Sequence, residues 1–134
     1  MKIEPTYVTF EQAKLLKGKG FDVKCKLYYS SNSIRFITEV ETNFNSVDII
    51  CSAPEQWQVV EWLRVKYNVH VTYDVGLIGY YGLIKHRHSN GSLYLSKWVN
   101  EQENPFNSPQ EAYSAAFDYI LLIWERSIRG QIVG

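Results

Sequence analysis

Apolar and polar residues alternate with a period of two in several segments, which predicts half-buried β-strands. The clearest is Val69–Val75, whose three valines share one face with Tyr73. The pair Asn90-Gly91 predicts a tight hairpin, because both central residues of a type I′ turn need positive φ. The predicted strands are residues 23–29, 34–40, 47–51, 69–75, 80–88 and 92–99.

Three segments of helical period each begin with a capping signal, in which Ser or Thr precedes Glu or Gln by three residues. These signals start at Thr9, Ser52 and Ser108, and Pro109 occupies the first helical position of the last one. The elements together predict one α+β domain over residues 1–134 in the order α-β-β-β-α-β-β-β-α. In this fold three helices pack on an antiparallel sheet of five or six strands.

The last predicted helix is apolar on more than one side. At about 100° per residue, its apolar positions form two arcs, and a sheet in so small a domain covers one of them. The second arc predicts a homo-oligomer, although the last two helices packing on each other is an equal alternative. The predicted interface comprises Phe117, Leu121, Trp124 and Ile128, with Trp62, on the solvent side of the second helix, as a weaker member.

Composition and charge narrow the classes of partner. Lys plus Arg and Asp plus Glu both number 14, so no global field attracts nucleic acid or an anionic membrane. Residues 119–124 form the longest apolar run, far short of a membrane span. Cys25 and Cys51 lie in apolar surroundings, and residues 1–10 lack a signal-peptide pattern. The sequence therefore predicts a cytoplasmic protein without a nucleic-acid or membrane partner.

The outer face of the last hairpin alternates cations with aromatic rings. A two-residue turn places Arg87 opposite Tyr94, Lys85 opposite Ser96, and Leu83 opposite Trp98. Rings can stack on a base while cationic heads hold phosphate, so this face predicts a nucleotide-type ligand; an ordinary solvated sheet face is the alternative. The predicted ligand-binding residues are Lys85, Arg87, Tyr94 and Trp98, and a continuous sheet would extend the surface to Lys24, Lys26, Tyr28 and Arg35.

Catalytic and metal-binding patterns are weak. His86 and His88 would share a strand face and could bind zinc with His70, but no acidic or cysteine ligand accompanies them. The glycines of residues 76–82 follow a strand without a helix behind them, so they do not form a phosphate-binding loop. The sequence predicts no catalytic residue, no metal and no cofactor.

Three blocks carry a resemblance to a known group of proteins: VTFEQAKLLKGKGFDVKCKLYY, SAPEQWQVVEWLRVKYNV and SPQEAYSAAFDYIL. They resemble a family of small uncharacterised proteins encoded by phages and prophages of Bacteroides-type gut bacteria. The resemblance implies a phage accessory protein in the cytoplasm of the infected host, a class that includes inhibitors and sponges of host defence.

The predicted function is non-catalytic binding, with possible sequestration, of a small nucleotide-type ligand. Two alternatives from other classes remain: a module that inhibits a host defence enzyme by protein contact, and a hydrolytic enzyme. An exposed apolar patch would favour the inhibitor, and His or carboxylate groups converging in a cleft would favour the enzyme.

Overall fold

The computed structural model describes residues 5–87, 90, 93–99 and 105–124. A turn of 3₁₀ helix, Phe44–Ser46, precedes the third strand, and a π-helical segment, Tyr119–Trp124, continues the last helix. The element order agrees with the predicted one. The elements are α1 (Phe10–Gly18), β1 (Cys25–Tyr29), β2 (Arg35–Thr42), β3 (Cys51–Ser52), α2 (Gln56–Tyr67), β4 (Val69–Val75), β5 (Tyr80–Arg87), β6 (Leu93–Val99) and α3 (Pro109–Asp118).

The strands form two antiparallel sheets of three, in the orders β2-β1-β3 and β4-β5-β6. The α+β class with three helices is confirmed, whereas the single sheet of five or six strands is wrong. A strand of two residues, β3, pairs only with β1 and offers almost no edge on which a sheet could continue. The chain divides into two compact units, residues 1–62 and 63–134, and the single domain stays a prediction.

The capping signals at both ends of the chain mark the helix starts as predicted, and the reciprocal capping box is complete at α1. The Thr9 hydroxyl accepts a hydrogen bond from the Gln12 N–H, and the Gln12 side chain accepts one from the Thr9 N–H, both at 3.1 Å. The Ser108 hydroxyl accepts from the Glu111 N–H at 3.2 Å, and Pro109 begins α3. These bonds satisfy N–H groups that the first helical turn leaves without partners.

The start of α2 differs from the prediction. Ser52 lies in β3, where its hydroxyl accepts from the Phe44 N–H at 3.1 Å, so it does not cap the helix. The helix begins at Gln56, and the Gln58 side chain reaches back to accept from the Glu55 N–H at 2.9 Å. The side chain that caps the start of α2 is therefore that of Gln58. The Ser-x-x-Glu pattern had indicated Ser52 instead.

In the first unit, α1 packs near β3, and the Tyr29 hydroxyl donates to the Val8 carbonyl at 2.6 Å. The edge strand β2 contrasts with this core because almost all of its residues are exposed. Its register with β1 is regular from Tyr29↔Arg35 to Leu27↔Ile37 and then shifts, so that Cys25 pairs with Thr42. An irregular bulge, in which residues 38–41 face Lys26 alone, therefore interrupts the second half of β2.

In the second unit, β5 is the central strand, and it pairs with β4 without interruption from Val69↔His86 to Val75↔Tyr80. Helix α3 packs on this sheet, chiefly on β5. The closest approach is at Gly82, where an added Cβ would lie 2.9 Å from the Ala112 carbonyl oxygen. Within the described residues, no helix has the length and apolar character needed to cross a membrane.

Three of the residues assigned to an oligomer interface are covered by their own chain. Phe117 is 0% exposed, and Leu121 is also buried, because α3 and its continuation bury one wide face that merges the two predicted arcs. Trp62 was predicted to face solvent but is buried, with its ring edge-on to Phe21 at 5.2 Å. This burial removes the reason for placing these three residues between subunits. The Trp124 side chain and Ile128 lie outside the described part.

Candidate functional site

The pairing register of the last hairpin agrees in part with the predicted register. Leu83 pairs with Trp98 and Lys85 pairs with Ser96, as predicted. Arg87 pairs with Leu93 instead of Tyr94, because the register shifts after His86 and leaves Tyr94 as the extra residue of a bulge. The Tyr94 side chain lies outside the described part of the structure.

The predicted ligand-binding residues are spread along the sheet. Arg87 lies four residues beyond the position opposite Trp98, about 13 Å along the strand at roughly 3.3 Å per residue. Trp98 instead neighbours Tyr81, with ring centroids 6.5 Å apart and planes at 88°. These two rings and Asp74 line a shallow cavity of about 340 Å³. The structure therefore brings Trp98 to a carboxylate and not to the predicted cation Arg87.

A larger cavity, of about 530 Å³, lies in the first unit. We call it the Lys24–Trp57 cavity. The two lysines reach it from alternate positions at the start of β1, and Trp57 reaches it from the first turn of α2. Its charged and aromatic lining residues are Tyr7, Lys24, Lys26, Glu41, Glu55 and Trp57.

Both aromatic residues of this cavity are held by contacts with their neighbours. The Trp57 side chain is 60% exposed, and its indole N–H donates to the Glu55 carboxylate at 2.8 Å. Tyr7 forms a β-bridge with Glu55, next to the 2.8 Å hydrogen bond from the Gln56 N–H to the Thr6 carbonyl. The Arg35 guanidinium lies 5.1 Å from the centroid of the Tyr7 ring. The rings are therefore held in place while Trp57 stays open to solvent.

Gln58 joins the two sides of the Lys24–Trp57 cavity. Its carbonyl oxygen accepts from the Glu55 N–H at 2.9 Å, and its amide nitrogen donates to the Lys24 carbonyl at 3.2 Å. One side chain thus connects the helix start to the segment that carries the lysines. Hydrogen bonds that support the lining residues in this way preorganise a binding site before a ligand binds.

The cavity combines three kinds of group that a nucleotide needs. Aromatic faces stack on a base, ammonium groups hold phosphate oxygens, and carboxylates accept hydrogen bonds from ribose hydroxyls or base amino groups. The sequence indicated Lys24 and Lys26 only as an extension of the hairpin surface, and it missed Tyr7 and Trp57. A signal for Trp57 was available, since it lies outside the apolar face of α2.

A third cavity, of about 500 Å³, borders α1 and contains Lys14 and Lys17. The Lys17 ammonium group donates to the Val47, Asp48 and Ile50 carbonyl oxygens, the last at 2.6 Å. Lys14 forms an ion pair with Glu11 at 3.0 Å. Both ammonium groups have contacts within the protein, so this cavity is a weaker candidate for anion binding.

The thiols and imidazoles are poorly placed for chemistry. Burial raises the pKa of the Cys25 thiol to about 12, and burial also raises the pKa of Cys51, so neither forms the thiolate that a nucleophile requires. His86 pairs with Val69 and His70 with Lys85, which puts the two imidazoles on opposite faces of the sheet. They cannot share a zinc ion there, and His88 lies outside the described residues. Among those described, no three His, Cys, Asp or Glu side chains cluster as metal ligands.

In comparisons with known proteins, no family model, no curated protein and no solved structure matches this chain. The resemblance to phage-encoded proteins therefore stays a prediction.

Proposed function

We propose that this protein is a non-catalytic binding protein for a small nucleotide-type ligand, which it holds in the Lys24–Trp57 cavity. The observation that carries the proposal is the meeting of two aromatic rings, two lysines and two carboxylates around one opening. A volume of about 530 Å³ lies within the range of roughly 300–1,000 Å³ that small-molecule sites occupy. The predicted chemistry is kept, and its proposed location moves from the last hairpin to the first unit.

The charges of the cavity suggest how many phosphates the ligand carries. The formal charges of Lys24 and Lys26 are balanced by those of Glu41 and Glu55. A triphosphate would bring several negative charges to two ammonium groups with two carboxylates nearby, which electrostatic repulsion disfavours. A ligand with one phosphate group, linear or cyclic, suits this balance better.

The biological part of the proposal follows from the resemblance. A phage accessory protein in the cytoplasm of an infected bacterium would sequester a nucleotide signal of host defence. Sequestration needs affinity and abundance but no chemical step. It is therefore compatible with buried, protonated thiols and with histidines on opposite sheet faces.

Isothermal calorimetry against nucleosides, linear and cyclic monophosphates, and triphosphates tests the proposal. We expect a monophosphate to bind most tightly. Lys26→Ala should weaken that binding by about 10- to 100-fold through loss of a charge-assisted contact. Trp57→Ala should weaken it by about 5- to 150-fold through loss of stacking. Both side chains are exposed, so circular dichroism should show an unchanged fold.

Matched controls come from the last hairpin. Lys85→Ala and Trp98→Ala remove the same residue types from the surface that the sequence favoured, and we expect them to leave the affinity unchanged. The proposed site is wrong if these controls lose binding while Lys26→Ala and Trp57→Ala retain it. The proposed ligand class is wrong if no nucleotide binds below millimolar concentration.

A further inference from the structure

The strand β2 exposes apolar side chains on both of its faces. Ile37 is 76% exposed and Val40 is 72% exposed, and Ile34 and Phe36 are exposed as well. The strand lies at the edge of its sheet, and no described strand pairs with its outer side. A long edge strand of this kind is a ready template for pairing with another chain, and monomeric proteins commonly protect such edges.

The hydrogen-bonding phase of β2 identifies which backbone groups are available. In an antiparallel ladder, the N–H and C=O of one residue point to the same side, and successive residues alternate. The Ser30 N–H donates to the Ile34 carbonyl at 2.9 Å, so the groups of Ile34, and by alternation those of Phe36, point toward β1. The N–H and C=O groups of Arg35 and Ile37 therefore point toward the outer edge.

We propose that two copies of this chain pair through β2 as antiparallel strands, with Ile37 of both copies at the two-fold axis. This register uses the outward groups and places Arg35 directly opposite Glu39 of the partner subunit. Opposite charges at directly facing positions stabilise a strand pair, and two isoleucines meet at its centre. On the other face, Phe36 lies opposite Thr38 of the partner subunit.

The charges of β2 also disfavour the neighbouring registers. An axis at Arg35 would place two guanidinium groups opposite each other, and an axis at Glu39 would do the same with two carboxylates. Like charges at facing positions are destabilising. The register of β2 with β1 shifts after Ile37, although β2 itself runs to Thr42, so the regular contact is short and its apolar centre at Ile37 contributes much of the affinity.

A second copy is the occupant that β2 fits because the strand is complementary to itself in one register. Dimers with two-fold symmetry require such a self-complementary patch. The pairing also differs from the predicted interface on the last helix, whose members Phe117 and Leu121 are buried within the chain. The dimer proposal does not rest on the proposed ligand. Dimer formation is measured in the absence of any ligand.

Sedimentation velocity of the full chain at micromolar concentrations tests the dimer. We expect the wild type to show the mass of two 15.6 kDa chains. Ile37→Lys should give a monomer, because two ammonium groups would meet at the axis. Ile49→Lys is a matched control, since Ile49 is equally exposed in the same unit but lies outside β2, and it should remain dimeric.

A charge exchange tests the register itself. Arg35→Glu and Glu39→Arg should each be monomeric alone, because each places like charges opposite each other. An equimolar mixture should recover the dimer, since one chain then carries acids at both positions and the other carries bases. A monomeric wild type overturns the proposal, as does a dimer that survives Ile37→Lys and both charge variants. Failure of the mixture to recover the dimer overturns the register.

Discussion

The two units of this protein treat similar strands differently. In the second unit, β5 pairs with β4 without interruption, and α3 packs over β5. In the first unit, β2 was also predicted as a strand from its sequence, yet it carries a bulge and leaves its apolar residues exposed on both faces. The contrast teaches that the sequence pattern predicts a strand but not whether other elements will cover it. The cavity and the edge that we propose for binding both lie in the less regular unit.

The largest expected effect is that of Phe117→Ala, which tests the packing of α3 in the second unit. Phe117 is fully buried, so the truncation should lower the free energy of unfolding by about 3–5 kcal/mol. Leu77→Ala is the control, because Leu77 is fully exposed and its loss should change stability by less than about 0.5 kcal/mol. Urea unfolding at two protein concentrations measures both. A loss of stability that vanishes at high concentration would show that Phe117 packs between subunits after all.

The close approach of α3 to its sheet gives a second, smaller effect. Gly82→Ala would place a methyl group 2.9 Å from the Ala112 carbonyl oxygen, so we expect a loss of about 1–3 kcal/mol from the forced shift. In the first unit, Gly18→Ala meets no atom within 4 Å, and it should stabilise α1 by about 0.5–1 kcal/mol. Thermal unfolding of the two variants measures these opposite changes in stability. Equal effects in the two units would contradict the proposed difference in packing.

The smallest expected effect is a pH dependence that arises in the first unit. Burial raises the pKa of Cys25 from 9.0 to about 12, so the folded chain keeps a proton that the unfolded chain releases. Its contribution to stability is full below about pH 9 and is lost as the pH rises toward about 12. Burial also raises the pKa values of Tyr29 and Tyr113. Above about pH 10 these two groups therefore lower the stability further as the pH rises.

The measurement compares urea midpoints at about pH 8 and about pH 10. The wild type should lose stability over this interval, and Cys25→Ala should lose less than the wild type. For each protein, the change in stability between the two pH values is compared, so the effect of the substitution at a single pH cancels. An identical change in stability for the two proteins would mean that the Cys25 thiol is not desolvated in the folded chain.

The sequence predicted the order of elements well because local signals determine it. Strict alternation located β4 with the bounds that the structure has, and caps located the starts of α1 and α3. The division into two sheets was not predictable in this way, since strand neighbours are chosen by long-range pairing. Ser52 failed as a cap for the same reason: a distant amide, that of Phe44, uses its hydroxyl.

The site that we propose keeps the predicted ligand chemistry but lies in a different part of the chain from the predicted one. The register of the last hairpin was predictable as far as His86, but the bulge at Tyr94 moved Arg87, and no sequence pattern indicated that bulge. The Lys24–Trp57 cavity gathers residues from four separate segments, so the spacing of residues along the chain does not reveal it. The apolar arcs of the last helix were derived with a period of 3.6, whereas Tyr119–Trp124 is π-helical and departs from that period.

The most direct test of the central claim, that the first unit binds the ligand, is a ¹H–¹⁵N NMR titration with the tightest-binding monophosphate. Trp57→Phe and Trp98→Phe assign the two indole signals. We predict that the Trp57 indole and the backbone amides of Lys24 and Lys26 shift on titration, while the Trp98 indole and the amides of Lys85 and Arg87 do not. Shifts confined to Trp98, Lys85 and Arg87 would contradict the account and return the site to the last hairpin.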